Sequence, residues 1–193
     1  KEMEQFKRYL VLMETETRRI GRIVSNLLAF SRQSKMRPTL LNINRLIEKT
    51  LVLNSNLLKI NNIKVKKQMD PDLPDLTGSE DQLQQVFMNI VSNAAEAMES
   101  AGKGELIITT RHSSKNDKIK ILFKDTGVGI PEENFSRLFE PFFTTKKKGK
   151  GVGLGLSVAY GIIQEHHGSI YVQSKKGNGT TIIIDIPLKH ESI

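Results

Sequence analysis

Residues 83–98, LQQVFMNIVSNAAEAM, decide the fold class because they predict a long amphipathic helix that carries amides beside its buried side. Its apolar side chains recur at helical spacing and are Leu83, Val86, Phe87, Ile90, Val91, Ala94 and Met98. Asn89 and Asn93 lie four residues apart and border that side, where an unpaired amide is costly. Their neutral oxygens suit a hydrated Mg²⁺ that already carries phosphate ligands. The alternative is that both asparagines cap nearby loops.

A glycine turn follows a strand predicted at residues 119–124. Asp125 comes directly after the strand, in KDTGVGI, and Gly127 and Gly129 follow it. Glycine allows the backbone to approach a flat ligand closely, and a carboxylate there can accept a hydrogen bond from an exocyclic amine such as that of adenine. Alone, this pattern is weak because turns of this composition are common.

A second glycine segment, GKGVGLGL at residues 149–156, leads into a helix predicted at 154–164. Such a loop presents free N–H groups to an anion at the helix N-terminus. It is not a Walker loop, because Lys150 is followed by glycine, and it does not follow a strand as a dinucleotide fingerprint does. The lysines at 146–148 and 150 are therefore candidate phosphate contacts, with a solvated loop face as the alternative.

The chain divides into a long helix and an α+β domain. Residues 1–34 carry a heptad pattern whose two apolar seams are Met3, Leu10, Thr17, Val24 and Ser31, and Phe6, Met13, Ile20, Leu27 and Ser34. A hinge is predicted between Ser34 and Pro38. Beyond it the pattern predicts strands at 39–43, 63–69, 106–111, 119–124, 170–173 and 180–186. Helices are predicted from Asn42 or Asn44 to Leu58, and from a capping box of Ser79 and Gln82 to Gly102.

Composition excludes several classes of function. The chain has 193 residues and no cysteine, which excludes disulfides, thiol catalysis and cysteine-ligated zinc. The chain contains no run of about 18 apolar residues, so no membrane span is predicted. The net charge of +8 invites a nucleic-acid hypothesis, but the basic residues are dispersed and aromatic residues are only 6% of the chain. We therefore expect no nucleic-acid partner.

The order of these segments resembles that of the histidine kinases of two-component signalling, within the ATPases that share the Bergerat fold. The resemblance is carried by NIVSNAAEAM, DTGVGI, LFEPFFTTK, GKGVGLGL and GNGTTIIIDIP, in that order. Residues 18–32 resemble the second helix of the dimerisation and phosphotransfer bundle. This resemblance implies a two-layer α/β sandwich over residues 37–193, with an ATP lid at about 131–153. Residues 1–36 would be part of the second bundle helix.

The resemblance also implies roles for individual residues. Asp125 would bind the adenine amine in a pocket shaped by Gly127 and Gly129, and Asn93 with Asn89 would hold Mg²⁺. The other candidate ATP-binding residues are Lys146, Lys150, Gly151, Gly153, Leu154, Gly155 and Thr180. Among them the three glycines would form the lid hinge, and the hydroxyl of Thr180 or Thr181 would bond near Asp125. Phe139, Phe142 and Phe143 would anchor the lid, or would be ordinary core residues.

Two positions depart from the family pattern. Hydrolysing relatives such as gyrase-type enzymes carry a glutamate where this chain has Asn89, which cannot take a proton from water. Many members have a basic residue where this chain has Glu96, so the lid lysines are expected to supply the phosphate contact. The resemblance therefore implies a site that holds ATP for transfer.

The implied reaction transfers the γ-phosphoryl group of ATP to a histidine and then to an aspartate of a response-regulator receiver domain. None of the histidines at 112, 166, 167 and 190 lies on an apolar bundle seam, so we expect the acceptor upstream, with any sensor or membrane anchor. The chain alone is then not expected to autophosphorylate. We expect a cytoplasmic location and a homodimer through the N-terminal helix. The alternatives are a nucleotide-binding regulatory module without kinase activity and an ATP-driven clamp of gyrase or mismatch-repair type.

Overall fold

The computed structural model describes residues 2–31, 38–146 and 152–188. Its helices are α1 (Glu2–Ser31), α2 (Ile43–Leu53), α3 (Ser55–Ile60), α4 (Glu80–Met98) and α5 (Gly155–Glu165). Its strands are β1 (Thr39–Leu41), β2 (Ile63–Met69), β3 (Leu76–Gly78), β4 (Gly104–Ser113), β5 (Lys118–Asp125), β6 (Ser169–Ser174) and β7 (Thr180–Pro187). Short 3₁₀ turns cover Glu99–Ala101 and Glu132–Arg137. Within these ranges no helix is both long and apolar enough to cross a membrane.

The main sheet has five strands in the order β2-β4-β5-β7-β6. β2 runs parallel to β4, and the other neighbours are antiparallel. β1 and β3 form a separate antiparallel pair. β5 and β7 lie next to each other in the middle of the main sheet, so Asp125 at the end of β5 comes close to Thr180 at the start of β7.

Helices cover one face of the main sheet. In β5 the side chains of Ile119, Ile121 and Phe123 are buried, whereas the alternating lysines face the open side. Phe123 meets Phe87 of α4 with ring centroids 5.6 Å apart. Burial of each such side chain contributes roughly 1.5 to 3 kcal/mol. The α+β sandwich expected from the sequence is therefore confirmed.

α1 is one continuous helix of 30 residues. Its apolar seam side chains Met3, Phe6, Leu10, Met13 and Ile20 are 50 to 72% exposed. The side chains of the later seam residues Val24 and Leu27 lie outside the described residues. Of the hinge expected between Ser34 and Pro38, only Pro38 is described. An amphipathic helix of this kind needs another helix to bury its apolar side.

The prediction of a capping box at the start of α4 is wrong. Ser79 is the N-cap residue, but its side chain makes no cap hydrogen bond. Its backbone N–H instead donates to Nε2 of the buried His166 at 3.0 Å, and the Gln82 amide donates to Glu165 at 2.8 Å. His166 therefore joins the end of α5 to the start of α4, which makes it a structural residue.

The sequence predicted one helix from residue 42 or 44 to Leu58, but the structure has two helices there, α2 and α3. Asn42 caps α2 by accepting the N–H of Arg45 at 3.0 Å, so the first of the two alternatives is confirmed. The break falls at Asn54, whose side-chain amide donates to the carbonyl of Thr50 at 2.9 Å. Competition of this kind between an asparagine amide and the helix backbone ends helices, which explains why the apolar spacing alone missed the break.

Candidate functional site

Asp125 is a buried carboxylate at the end of β5, only 6% exposed. Its Oδ1 accepts the backbone N–H of Gly127 at 2.8 Å and that of Thr180 at 3.2 Å. Among the described residues, no group donates to Oδ2, so this oxygen can accept from a ligand. Burial raises the pKa of the Asp125 carboxyl above its ordinary value, and the two N–H groups act in the opposite direction.

Thr180 contacts Asp125 through its backbone. The expectation that a threonine hydroxyl would bond there is wrong, because the Thr180 hydroxyl lies 2.9 Å from Ser174 Oγ. Ser174 Oγ also donates to the Gly179 carbonyl and accepts the N–H of Ile130, both at 2.8 Å. Ser174 therefore ties the 125–130 turn to β6 and β7. No motif in the sequence indicated this role, since serine in a strand carries no distinctive signal.

Gly127 and Gly129 are required by close backbone contacts. A Cβ on Gly127 would lie 2.8 Å from the carbonyl carbon of Ala97 in α4. Gly129 has φ +67°, and a Cβ there would lie 2.1 Å from the Lys175 carbonyl oxygen. Sequence reasoning did not single out Gly179, which has φ +76° and whose Cβ would lie 2.0 Å from the Asp125 carbonyl oxygen. These glycines allow three backbone segments to meet around Asp125.

The two asparagines of α4 are both half-buried, and they have different partners. Asn89 Nδ2 donates to the Gly155 carbonyl at 3.1 Å, which ties α4 to the first residue of α5. This contact matches the loop-capping alternative. Asn93 Oδ1 accepts from Lys146 Nζ at 3.1 Å, and the same ammonium pairs with Glu96 Oε2. The structure thus places one of the expected lid lysines beside the asparagine and the glutamate.

The Asn93 contact supports a cation site. A lysine ammonium is a compact positive charge, and here it stands where a metal ion would meet the amide oxygen. The described residues hold no group of three His, Asp or Glu side chains that could bind a metal by themselves. A neutral amide oxygen fits Mg²⁺ only when other ligands, such as phosphates, supply the charge. The residues present therefore fit a magnesium ion that arrives with a nucleotide.

The described glycines at the start of α5 differ in whether a larger residue would fit in their place. Gly153 has φ +73°, and its Cβ would lie 2.5 Å from the Phe143 carbonyl oxygen. Leu154 is buried and is the N-cap residue of α5. A Cβ on Gly155 would meet Asn93 Nδ2 at 3.6 Å, an ordinary contact. Lys150 and Gly151 lie outside the described residues.

The phenylalanines of LFEPFFTTK do not all anchor this segment. Phe139 is half-buried and stacks at a tilt on Tyr160 of α5, with centroids 5.2 Å apart. Phe143 is half-buried under the guanidinium of Arg137, 4.6 Å from the ring centroid. Phe142 is 63% exposed and its φ is +67°, so the expectation that it anchors the segment is wrong. The turn there directs the ring to solvent.

Comparisons with known proteins identify the family of the chain. Residues 78–190 match the family described as histidine kinase-, DNA gyrase B- and HSP90-like ATPases. Sporulation kinase A of Bacillus subtilis (strain 168) is 36% identical over 188 residues, which are 97% of this chain and 30% of that protein. The chain spans about a quarter to a third of the length of such curated relatives.

Two solved structures of histidine kinase ThkA are also similar. Its nucleotide-free catalytic domain is 33% identical, with a TM-score of 0.70 over 79% of this chain and 98% of that chain. ThkA in complex with response regulator protein TrrA is 30% identical, with a TM-score of 0.76 over 95% of this chain and 52% of that chain. The chain therefore belongs to the histidine kinase-, DNA gyrase B- and HSP90-like ATPases, and it contains an ATP-binding catalytic domain of the histidine kinase type.

Proposed function

We propose that the domain binds ATP with its adenine amine on Asp125 Oδ2. The observation that carries the proposal is the arrangement of this carboxylate, which is buried and has both backbone N–H groups on Oδ1. An amine on the remaining oxygen would complete the hydrogen bonding of a group that is costly to bury unpaired. Gly127 and Gly129 let the turn after Asp125 pack closely on Ala97 and Lys175, which fixes the position of the carboxylate.

The phosphates would then lie between α4 and the start of α5. Asn93 Oδ1, with Asn89, would hold Mg²⁺, which when bound would neutralise charge on the transferred phosphoryl group. Lys146 supports this placement because its ammonium already meets Asn93 Oδ1. Lys146 and Lys150 are the proposed phosphate contacts, and Gly151, Gly153 and Gly155 the proposed hinge of a lid at about 131–153.

The site supports phosphoryl transfer over fast hydrolysis. Asn89 carries no group that can take a proton from water, and its amide is occupied by the Gly155 carbonyl. A water molecule near the γ-phosphate would therefore lack a base at the α4 position where hydrolysing relatives carry one. This favours the kinase over the gyrase-type clamp.

The acceptor would be a histidine outside the catalytic domain. His166 is buried and bonded to Ser79, and neither His112 nor His167 lies on α1. His190 is outside the described residues. We propose that residues 1–36 are part of the second helix of a dimerisation bundle and that residues 37–193 are the catalytic domain.

The partners follow from the same proposal. The exposed apolar seam of α1 supports a homodimer formed through this helix. The phosphoryl group would pass from the histidine to an aspartate of a response-regulator receiver domain, as the complex of ThkA with a response regulator suggests. Such signalling is expected in the cytoplasm.

The test measures nucleotide binding and transfer separately. Calorimetry on this chain should detect Mg²⁺-dependent ATP binding, which Asp125→Asn weakens strongly and Asn93→Ala makes independent of Mg²⁺. A dimerisation bundle with its histidine, supplied in trans, should then gain acid-labile phosphate from ATP. Binding without transfer to any such bundle would favour the regulatory module, and no binding at millimolar ATP would contradict the proposed site.

A further inference from the structure

We infer that Glu96 acts as an internal competitor of the nucleotide: it holds Lys146 on Asn93 while the site is empty and gives it up when phosphates bind. The inference rests on the proposed ATP site. It adds a residue that controls how tightly that site holds a triphosphate.

The contact geometry is the first support. Lys146 Nζ lies 3.1 Å from Asn93 Oδ1 and pairs with Glu96 Oε2, so one ammonium bridges two residues three positions apart on α4. The backbone N–H of Lys146 also donates to Thr144 Oγ1 at 3.2 Å, which shapes the local turn that carries the lysine. Two of the three ammonium hydrogens are then used within the protein.

The lysine of this pair is less exposed than the lysines of the other described lysine–carboxylate pairs, although Glu105 and Asp185 are less exposed than Glu96, at 27% and 20%. The Lys146 side chain is 34% exposed and that of Glu96 33%. In the pairs Lys49–Glu80, Lys66–Glu105, Lys67–Glu48 and Lys120–Asp185, the lysine side chains are 43 to 61% exposed. Partial burial strengthens the attraction between opposite charges. We therefore treat this pair as a latch, in contrast to more exposed pairs such as Lys49–Glu80.

Charge determines what happens when a nucleotide arrives. Lys146 and a magnesium ion repel each other, so Lys146 has to leave Asn93 Oδ1 before that oxygen can bind the metal. The carboxylate of Glu96 repels the phosphates and attracts the lysine that they would otherwise take. Both effects of Glu96 oppose nucleotide binding. We expect them to outweigh the attraction of this carboxylate for the magnesium ion, because Mg-ATP carries a net negative charge.

The first experiment detects the latch without nucleotide. The chain has no cysteine, so Thr145→Cys provides a single, exposed site for a nitroxide label next to Lys146. Glu96→Gln should increase the mobility of this label in nucleotide-free protein. Glu80→Gln is the matched control, because it removes the same charge from an exposed pair on the same helix. Equal mobility in Glu96→Gln and the parent would overturn the inference.

The second experiment measures affinity by calorimetry. Glu96→Gln should bind Mg-ATP about three- to tenfold more tightly than the parent, and adenosine equally well. Lys146→Met should bind Mg-ATP more weakly, again with adenosine unchanged. Weaker or unchanged Mg-ATP binding in Glu96→Gln would overturn the inference. If the parent binds neither adenosine nor Mg-ATP, the proposed site itself fails, and the label still reports whether Glu96 restrains Lys146.

Discussion

The two ends of the candidate nucleotide site are built differently. Around Asp125, backbone N–H groups from two segments converge on one buried oxygen, and three glycines allow the segments to meet. Around Asn93, the contacts are side-chain contacts of half-buried residues, and one of them is an ion pair to Lys146. The proposed adenine end is part of the folded core, whereas the proposed phosphate end is held by side-chain contacts that we propose are exchanged. Base recognition is therefore expected to depend on fold stability, and phosphate binding on exchangeable charges.

Gly179→Ala should have the largest effect and should damage the adenine end through the fold. The new Cβ would lie 2.0 Å from the Asp125 carbonyl oxygen, at a residue with φ +76°. We expect the free energy of unfolding to fall by about 3 kcal/mol, measured by urea denaturation.

Gly177→Ala is the control for this substitution. Its φ is +85°, but nothing lies within 4 Å of its Cβ, so only backbone strain of about 1 kcal/mol is expected. Equal losses in the free energy of unfolding would mean that the close approach of residue 179 to Asp125 does not contribute to stability.

Asp125→Asn should nearly eliminate nucleotide binding while the fold persists. The amide oxygen can still accept from Gly127 and Thr180, but an amide N–H would then face the adenine amine. Because a hydrogen bond to a charged group contributes about 1.5 to 3 kcal/mol, affinity should fall about 10- to 100-fold, for adenosine as well as for Mg-ATP. Calorimetry with both ligands measures this, and retention of adenosine affinity would refute the assignment of Asp125.

The same substitution should stabilise the nucleotide-free protein at neutral pH. Burial raises the pKa of folded Asp125 above the ordinary value of 3.8, so the folded state favours the protonated form. That contribution to stability is present below pH 3.8 and is lost as pH rises through the folded pKa. Asp125→Asn should therefore exceed the parent in free energy of unfolding at pH 7, and the difference should shrink as pH falls towards 3.8. A difference that is constant over this range would contradict the burial effect.

Gly155→Ala should have the smallest effect. Its Cβ would make ordinary contacts with Asn89 and Asn93, and alanine is favoured over glycine in a helix such as α5. We expect a change in stability of less than about 1 kcal/mol and unchanged adenosine binding. Gly153→Ala is the comparison, because it has φ +73° and a contact of 2.5 Å. A large loss in Gly155→Ala would mean that the phosphate end is as tightly packed as the adenine end.

The sequence predicted most of the fold, because the main strands and helices are long enough to show their periods. β2 was expected at the bounds observed, and the ends of the other strands of the main sheet differ from those expected by at most two residues. β3 was missed, since a strand of three residues is too short to show alternation and it pairs only with β1. The break at Asn54 was missed because the apolar spacing continues across it.

The residue types of the candidate site remain predictions, whereas several contacts of these residues differ from those expected. Asp125, Asn93 and Lys146 were expected, since glycine turns and paired asparagines leave a pattern in the sequence. The family resemblance implied Thr180 or Thr181 near Asp125 through a hydroxyl, but Thr180 bonds through its backbone N–H, which any residue could do. The contact between Lys146 and Glu96 depends on the path of a long loop, which no local pattern specifies.

Calorimetry with adenosine and Mg-ATP on the parent, Asp125→Asn and Asn93→Ala tests the separation of the two ends most directly. We expect Asp125→Asn to bind both adenosine and Mg-ATP much more weakly than the parent. Asn93→Ala should keep adenosine at the affinity of the parent and lose the part of ATP affinity that depends on Mg²⁺. Loss of adenosine binding in Asn93→Ala, or unchanged adenosine binding in Asp125→Asn, would contradict the division of the site into a fixed adenine end and an exchangeable phosphate end.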